Sequence, residues 1–315
     1  MLGKINSFLN KYLFIINPVG LIIGIIFAKY FGWLKTITTF LVAVVTLCGT
    51  VFIGLADFKS VIKKPKALFL SWFASHVFWA SFVFLVGKLL FRGNTDLILG
   101  LVLVFAIPCA ITSTIWANIY DGNNALSIVL VVFDTVLAPL VCPFTITLFF
   151  GQSITMDIIS LMKSIAIMVV VPSVIGVTLH AFAGKWIEEH ETVFKFSSKM
   201  FAIMTVIGNG SKVRAQLAYY QLSDIVPVVF ITAAVIVISY IVNHAFMYKV
   251  VKLPLEDVVS ANFGCGMKNA AVCLTIALDY FPVSTSIPSV SLFFIQDLIS
   301  GSYGKYLTNL REKKT

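Results

Sequence analysis

Long apolar stretches alternate with short polar connectors along almost the whole chain. Ten such stretches can be read, at roughly 12–31, 36–56, 67–91, 97–119, 124–150, 157–182, 197–217, 224–248, 258–279 and 287–307. A helix needs about 20 apolar residues to cross roughly 30 Å of hydrocarbon, so each stretch predicts one spanning helix. The expected fold class is an all-α polytopic membrane protein. Two stretches contain a fault. The ninth is interrupted by Gly264-Cys265-Gly266-Met267-Lys268-Asn269, two glycines followed by a full positive charge and an amide. The fourth is interrupted at Pro108, followed by Cys109-Ala110-Ile111-Thr112-Ser113-Thr114.

The halves of the chain echo each other. Pro18 to Trp33 is similar to Pro172 to Trp186, and the faults in the fourth and ninth stretches stand at nearly the same offset. A repeat of five spans is odd-numbered, so the second copy must be inverted in the membrane. The expected division is 1–152 for the first repeat and 153–315 for the second. Inverted repeats with interrupted helices in matching positions point to a secondary transporter whose ligands sit where the breaks meet.

Composition agrees with this pattern. The mean hydropathy is +0.98; 59% of residues are hydrophobic and 12% charged, beyond what a soluble domain carries. The net charge of +9 would suit a nucleic-acid binder, but the lysines lie in short runs between apolar stretches. Cytoplasmic flanks of membrane helices look like this. Placing both termini in the cytoplasm assigns fifteen Lys and Arg inside, among them Lys59, Lys63, Lys64, Lys66, Lys313 and Lys314, against seven outside. A plasma-membrane location follows as the expectation. The five cysteines lie in apolar stretches with no CxxC pair, so neither a disulfide framework nor a zinc site is indicated. No cleavable signal peptide is read, and no hydrolase, metalloprotease or P-loop motif occurs, so no enzyme is expected.

The interruptions carry the candidate chemistry. Proline removes a backbone donor and clashes with the preceding turn, so Pro108 should end one half-helix. Gly264 and Gly266 are expected to permit the second break. The N-terminus of a half-helix carries about half a positive charge and free N–H groups. Two such ends would favour an anion such as a carboxylate, with Thr112, Ser113 and Thr114 close by. A lysine at mid-bilayer depth costs about 2.5–3.5 kcal/mol even on lenient scales unless it is paired or reaches water. Lys268 is therefore a functional-site candidate. His76 is read first as a hydrogen-bonded interior histidine rather than a proton carrier.

Ile107 to Gly151, with its GN-x-ALS run at Gly122 to Ser127 and its two prolines Pro139 and Pro143, resembles the bile acid:sodium symporter family. Gly266-Met267-Lys268-Asn269 resembles that family's GMQN. The resemblance extends in order over all ten stretches. It implies ten helices in two inverted repeats, a panel and a core domain, with helices four and nine broken and crossing. It implies uptake of organic anions, including bile acids, pantoate and keto acids, usually with sodium. It also implies that Ser113, Thr114 and Ser127 match sodium-site positions. Here the chain departs from the family. The shared anionic ligand is matched by Gly264, a hydroxyl ligand by Val131, and the Gln of GMQN by Lys268. The sodium sites are read as degenerate: sodium remains possible, but most side-chain ligands are missing, and no other cofactor is expected.

The expectation is that Lys268 stands in for sodium as a tethered cation, countered by Asp134 or Asp297. The substrate, a small organic anion, should touch Thr112, Ser113, Asn269 and Gln296 and lie close to Lys268. Membrane lipid is the other partner. Cys109, Trp116 and Asp134 are also spaced like a pattern of arsenite efflux permeases, which keeps an anion efflux permease of the same architecture as the alternative. A ligand sensor that does not transport would look the same.

Overall fold

A computed structural model describes residues 2–54, 65–151, 157–220 and 222–312. Lys59, Lys63 and Lys64, the C-terminal lysines and the expected repeat boundary at 152–153 lie outside these. The described residues form helices joined by short turns, with one isolated antiparallel bridge between Cys109 and Lys268. The main helices are α1 (Leu2–Ile26), α2 (Thr38–Thr50), α3 (Pro65–Leu90), α4 (Thr95–Ala106), α5 (Thr112–Ile119) and α6 (Asn124–Phe150). They continue with α7 (Ile158–Glu189), α8 (Glu191–Gln216), α9 (Leu222–Ala245), α10 (Leu255–Gly266), α11 (Ala270–Tyr280) and α12 (Ile287–Glu312).

Among the described residues, five helices are long and apolar enough to cross a membrane, or up to seven if each bent pair is one span. α4 and α11 are apolar but shorter, because the interruptions cut them. α8, at the expected seventh stretch, is more polar than these helices and falls outside that set. A multi-pass membrane protein is the architecture these lengths and compositions describe.

Local chemistry accounts for the helix ends. Asn94 caps α4 by accepting the Leu97 N–H at 3.2 Å, and Asn123 caps α6 by accepting that of Leu126 at 3.1 Å. α6 stops at Gly151, whose φ of 50° is open to glycine at little cost. α3 has a wider π turn over Ala74–Trp79, a distortion common at functional positions, and it carries Ser75 and His76.

The helices pack as two groups. α1, α2, α7 and α8 form one; α3 to α6 and α9 to α12 form the other. In the first group α1 and α8 approach until a Cβ on Gly24 would collide with the backbone of Ile207, and one on Gly210 with that of Leu21. Small residues permit such close helix packing in lipid. Ser211 uses the proximity to donate to the Gly24 carbonyl at 3.2 Å. In the second group every residue of α4 from Leu97 to Ala106 is buried. A helix apolar all round belongs inside a bundle, and α4 is that helix. Asn209 of α8 links the groups, donating to Thr275 of α11 at 3.1 Å.

Candidate functional site

The two interruptions meet inside the second group. α4 ends at Ala106, and Ile107 is extended, with φ −76° and ψ 147°, as a residue before proline prefers. α10 ends at Gly266, and Met267 is extended, with φ −102° and ψ 107°. The two extended segments pair antiparallel: Ala110 donates to the Met267 carbonyl at 2.9 Å, and Asn269 to the Pro108 carbonyl at 3.1 Å. Unpaired backbone groups at this depth would each cost several kcal/mol, so each break satisfies the other.

Side chains complete the satisfaction. Gln296 of α12 accepts the Lys268 N–H at 2.7 Å. Asn269 caps α11, its side-chain oxygen accepting the Val272 N–H at 3.2 Å. Asp134 of α6 accepts the Cys109 N–H at 2.6 Å through one carboxylate oxygen. Its other oxygen lies 2.5 Å from Nε2 of His76. Thr112 opens α5 and is half-buried, while Ser113 behind it is 2% exposed. Thr114 and Ser127 donate to carbonyls of their own chain segments, Ile111 at 2.8 Å and Asn123 at 3.1 Å.

Lys268 is 1% exposed, among the largest fully buried side chains in the molecule. It neither snorkels nor reaches bulk water. Its amino group donates to Ser75 Oγ and lies 5.5 Å from the centre of the Phe105 ring. A cation over an aromatic face gains about 0.5–2 kcal/mol, more when desolvated.

The expected charge pairing is therefore reshaped. Among the described residues, no carboxylate lies within 4.0 Å of the Lys268 amino group. Asp134 is an electrostatic neighbour of Lys268, but its direct partners are His76 and the Cys109 backbone. Asp297 faces Trp116 across the α5–α12 contact instead. The reason is reach. α3 brings Ser75 and His76 side by side on its π turn, so the lysine meets the hydroxyl while the imidazole takes the carboxylate.

Pro108 and the two glycines lie at or just before the breaks. Pro108 sits at the break it was expected to make. Gly264 lies inside regular α10, and neither it nor Gly266 has a positive φ. A Cβ on Gly266 would meet the Tyr240 ring at 2.5 Å, so that glycine, the last residue of α10, also admits an aromatic ring at the break. A Cβ on Gly264 would find ordinary contact, 3.4 Å from Leu130. Gly264 instead lines a cavity of about 10 Å³ together with Ser71, Trp72, Ser75, Cys109, Leu130 and Asp134. That is room for about one water. Asp134 supplies a carboxylate to the same small space. Of the other sodium-matched positions, Val131 is buried and offers no oxygen.

Phe105 and Tyr240 were not signalled by the sequence, being ordinary residues of apolar stretches; Ser75 was marked only through the resemblance, as the approximate match of a Gln in the family's third span. Asn243 had no assigned use; it accepts from the Trp79 indole at 2.9 Å and donates to the Cys265 sulfur at 3.1 Å, tying α9 to the second break.

The sequence profile of the sodium bile acid symporter family matches residues 39–249. The chain belongs to this family. Similar proteins include the uncharacterized protein YbaS of Bacillus subtilis, 27% identical over 310 residues, covering 95% of this chain and 97% of the relative. The uncharacterized sodium-dependent transporter YocS of the same organism is 23% identical, over 96% and 92% of the two chains. The probable chloroplastic sodium/metabolite cotransporter BASS1 of Arabidopsis thaliana is 25% identical, over 84% of this chain and 64% of its own length. As a sodium bile acid symporter family member the chain is a secondary transporter by class.

Proposed function

We propose that this protein carries small organic anions, carboxylates such as pantoate, keto acids or bile acids, without sodium and with Lys268 in the role of the ion. It does so as ten spans in two inverted five-helix repeats in the plasma membrane, with both termini cytoplasmic. The observation that carries the reading is the buried Lys268 at the helix crossing, with Val131 and Gly264 where sodium oxygens would be expected. A fixed ammonium repels a second cation at that spot and attracts a carboxylate. Roughly, two unit charges at 4 Å interact by about 4 kcal/mol at an effective dielectric of 20. Substrate contacts are assigned to Thr112, Ser113, Asn269 and Lys268. Gln296 supports them by holding the Lys268 backbone.

The test is counterflow in proteoliposomes with a panel of pantoate, pyruvate and cholate, with and without sodium, at two pH values. Exchange of at least one acid at equal rates in sodium and in choline is the expected result. Uptake that strictly requires sodium would reject the tethered-cation reading. Replacing Cys109 by Ser separates the efflux alternative, since arsenite export should collapse only if that thiol is a ligand.

A further inference from the structure

We infer that His76 is the proton-binding residue that couples transport to pH, taking one proton on Nδ1 for each monocarboxylate moved. The inference rests on the transport reading above and names its coupling site. It starts from which atoms already have partners. One oxygen of Asp134 accepts from a backbone N–H, which can only donate. The other lies 2.5 Å from His76 Nε2. With the carboxylate ionised, Nε2 must carry the hydrogen, which fixes the tautomer. The lone pair then sits on Nδ1, and Nδ1 is buried with no hydrogen-bond partner. Buried polar atoms are nearly always paired, so a bare one needs a reason. A bare imidazole nitrogen whose opposite N–H is held by a carboxylate is a prepared proton acceptor, because the same carboxylate stabilises the imidazolium that forms.

The surroundings fit this use. His76 stands on the π turn of α3, 4% exposed, with its ring 5.6 Å from that of Trp72. Trp72 Nε1 is likewise buried and unpartnered. Trp72, Ser75 and Asp134, the partner of His76, line the one-water cavity beside this pair. The imidazole pairs with Asp134 from α6, and the titratable groups that act on Asp134 or neighbour it are Cys109 at the first break and Lys268 and Cys265 at the second. Their charges give the stoichiometry. Ionised Asp134 and protonated Lys268 cancel, so the cluster is neutral while His76 is neutral. Proton uptake forms one N–H bond and leaves the cluster at plus one, which a single carboxylate neutralises. The loaded carrier then crosses with no net charge, and release of the anion releases the proton.

The experiment has two arms on the full-length protein in liposomes, wild type and His76→Gln. Gln can still donate to Asp134 but cannot bind a proton. The first arm needs no substrate. Infrared difference spectra between pH 5 and 8 should show imidazolium bands in wild type that the variant lacks. The second arm measures pantoate, pyruvate and cholate. The ratio of accumulation driven by an inward proton gradient to counterflow should fall about tenfold or more in the variant. No His76-dependent imidazolium signal across that range would overturn the inference, whatever the flux. An unchanged ratio in the variant would overturn it too. If wild type exchanges none of the acids while the infrared signal is present, the transport reading fails, and the coupling role falls with it. If wild type exchanges an acid with no response to the proton gradient, the coupling role alone fails.

Discussion

At the first interruption the chain is turned out of its helix by Pro108, and a carboxylate from a distant helix, Asp134, comes in to hold the exposed Cys109 N–H. At the second, no proline or left-handed residue intervenes; α10 ends, Met267 extends, and the chain brings its own charge in Lys268. The first break is thus set by local covalent geometry and finished by an imported anion. The second is set by tertiary partners, the Pro108 and Ala110 backbone and the Gln296 side chain, and finished by a resident cation. The difference teaches where each is vulnerable. The first should survive most losses of backbone partners and fail on loss of Asp134. The second should fail wherever its support is removed.

The strongest test of that contrast is Asp134→Ala. It strips His76 and the Cys109 N–H of their partner and leaves Lys268 without its nearest negative charge. Breaking a buried charged network costs about 3–5 kcal/mol. Thermal unfolding in detergent should show it as the largest loss of the set, with transport abolished. Lys268→Met, similar in volume, should be tolerated far better in stability, since a neutral side chain removes a buried charge. Its anion exchange should drop by roughly the tenfold that 1.4 kcal/mol of lost attraction represents, or more. Exchange at the wild-type rate in Lys268→Met would break the comparison at its charged end.

Gly266→Ala comes next. Its methyl would enter the Tyr240 ring, and overpacking of this kind costs about 1–3 kcal/mol, read as a lower unfolding midpoint. Gln296→Ala leaves the Lys268 N–H unpaired, at about 1–3 kcal/mol by the usual penalty for a buried donor. Gly264→Ala is the smallest effect. Its methyl meets only ordinary contact, and alanine in a helix gains about 0.5–1 kcal/mol over glycine. A clear destabilisation there, equal to that at Gly266, would restore the view that both glycines serve the break itself.

Much of the fold could be read ahead. Most of the apolar stretches coincide with described helices, five to seven of them long and apolar enough to span, because lipid demands long runs of apolar residues, and that demand is written residue by residue. Both interruptions were visible too, one through a proline and the other through a charge that apolar surroundings do not tolerate without a reason. The site was only half visible. Asn269, Lys268, Asp134 and His76 stood out as polar residues in apolar stretches, but which partner each would take did not. His76 and Asp134 are separated by 58 positions and Ser75 and Lys268 by 193. No spacing rule joins residues so far apart. Asp134 is an electrostatic neighbour of Lys268 but takes its hydrogen bonds from His76 and Cys109 for this reason: charge alone proposes a partner, and only position decides which contact is made.

What the amino-acid order determined by itself, then, was the class of protein, the number and place of apolar stretches and the two points where helices must stop. These follow from local rules of hydropathy, proline geometry and the cost of burying charge. Tertiary structure decided which side chain met which. It gave the carboxylate to an imidazole and the ammonium to a hydroxyl, kept Asp297 away, and left one nitrogen of His76 bare. Such outcomes depend on how helices far apart in the chain are stacked and turned, because a hydrogen bond is made or lost within a fraction of an ångström.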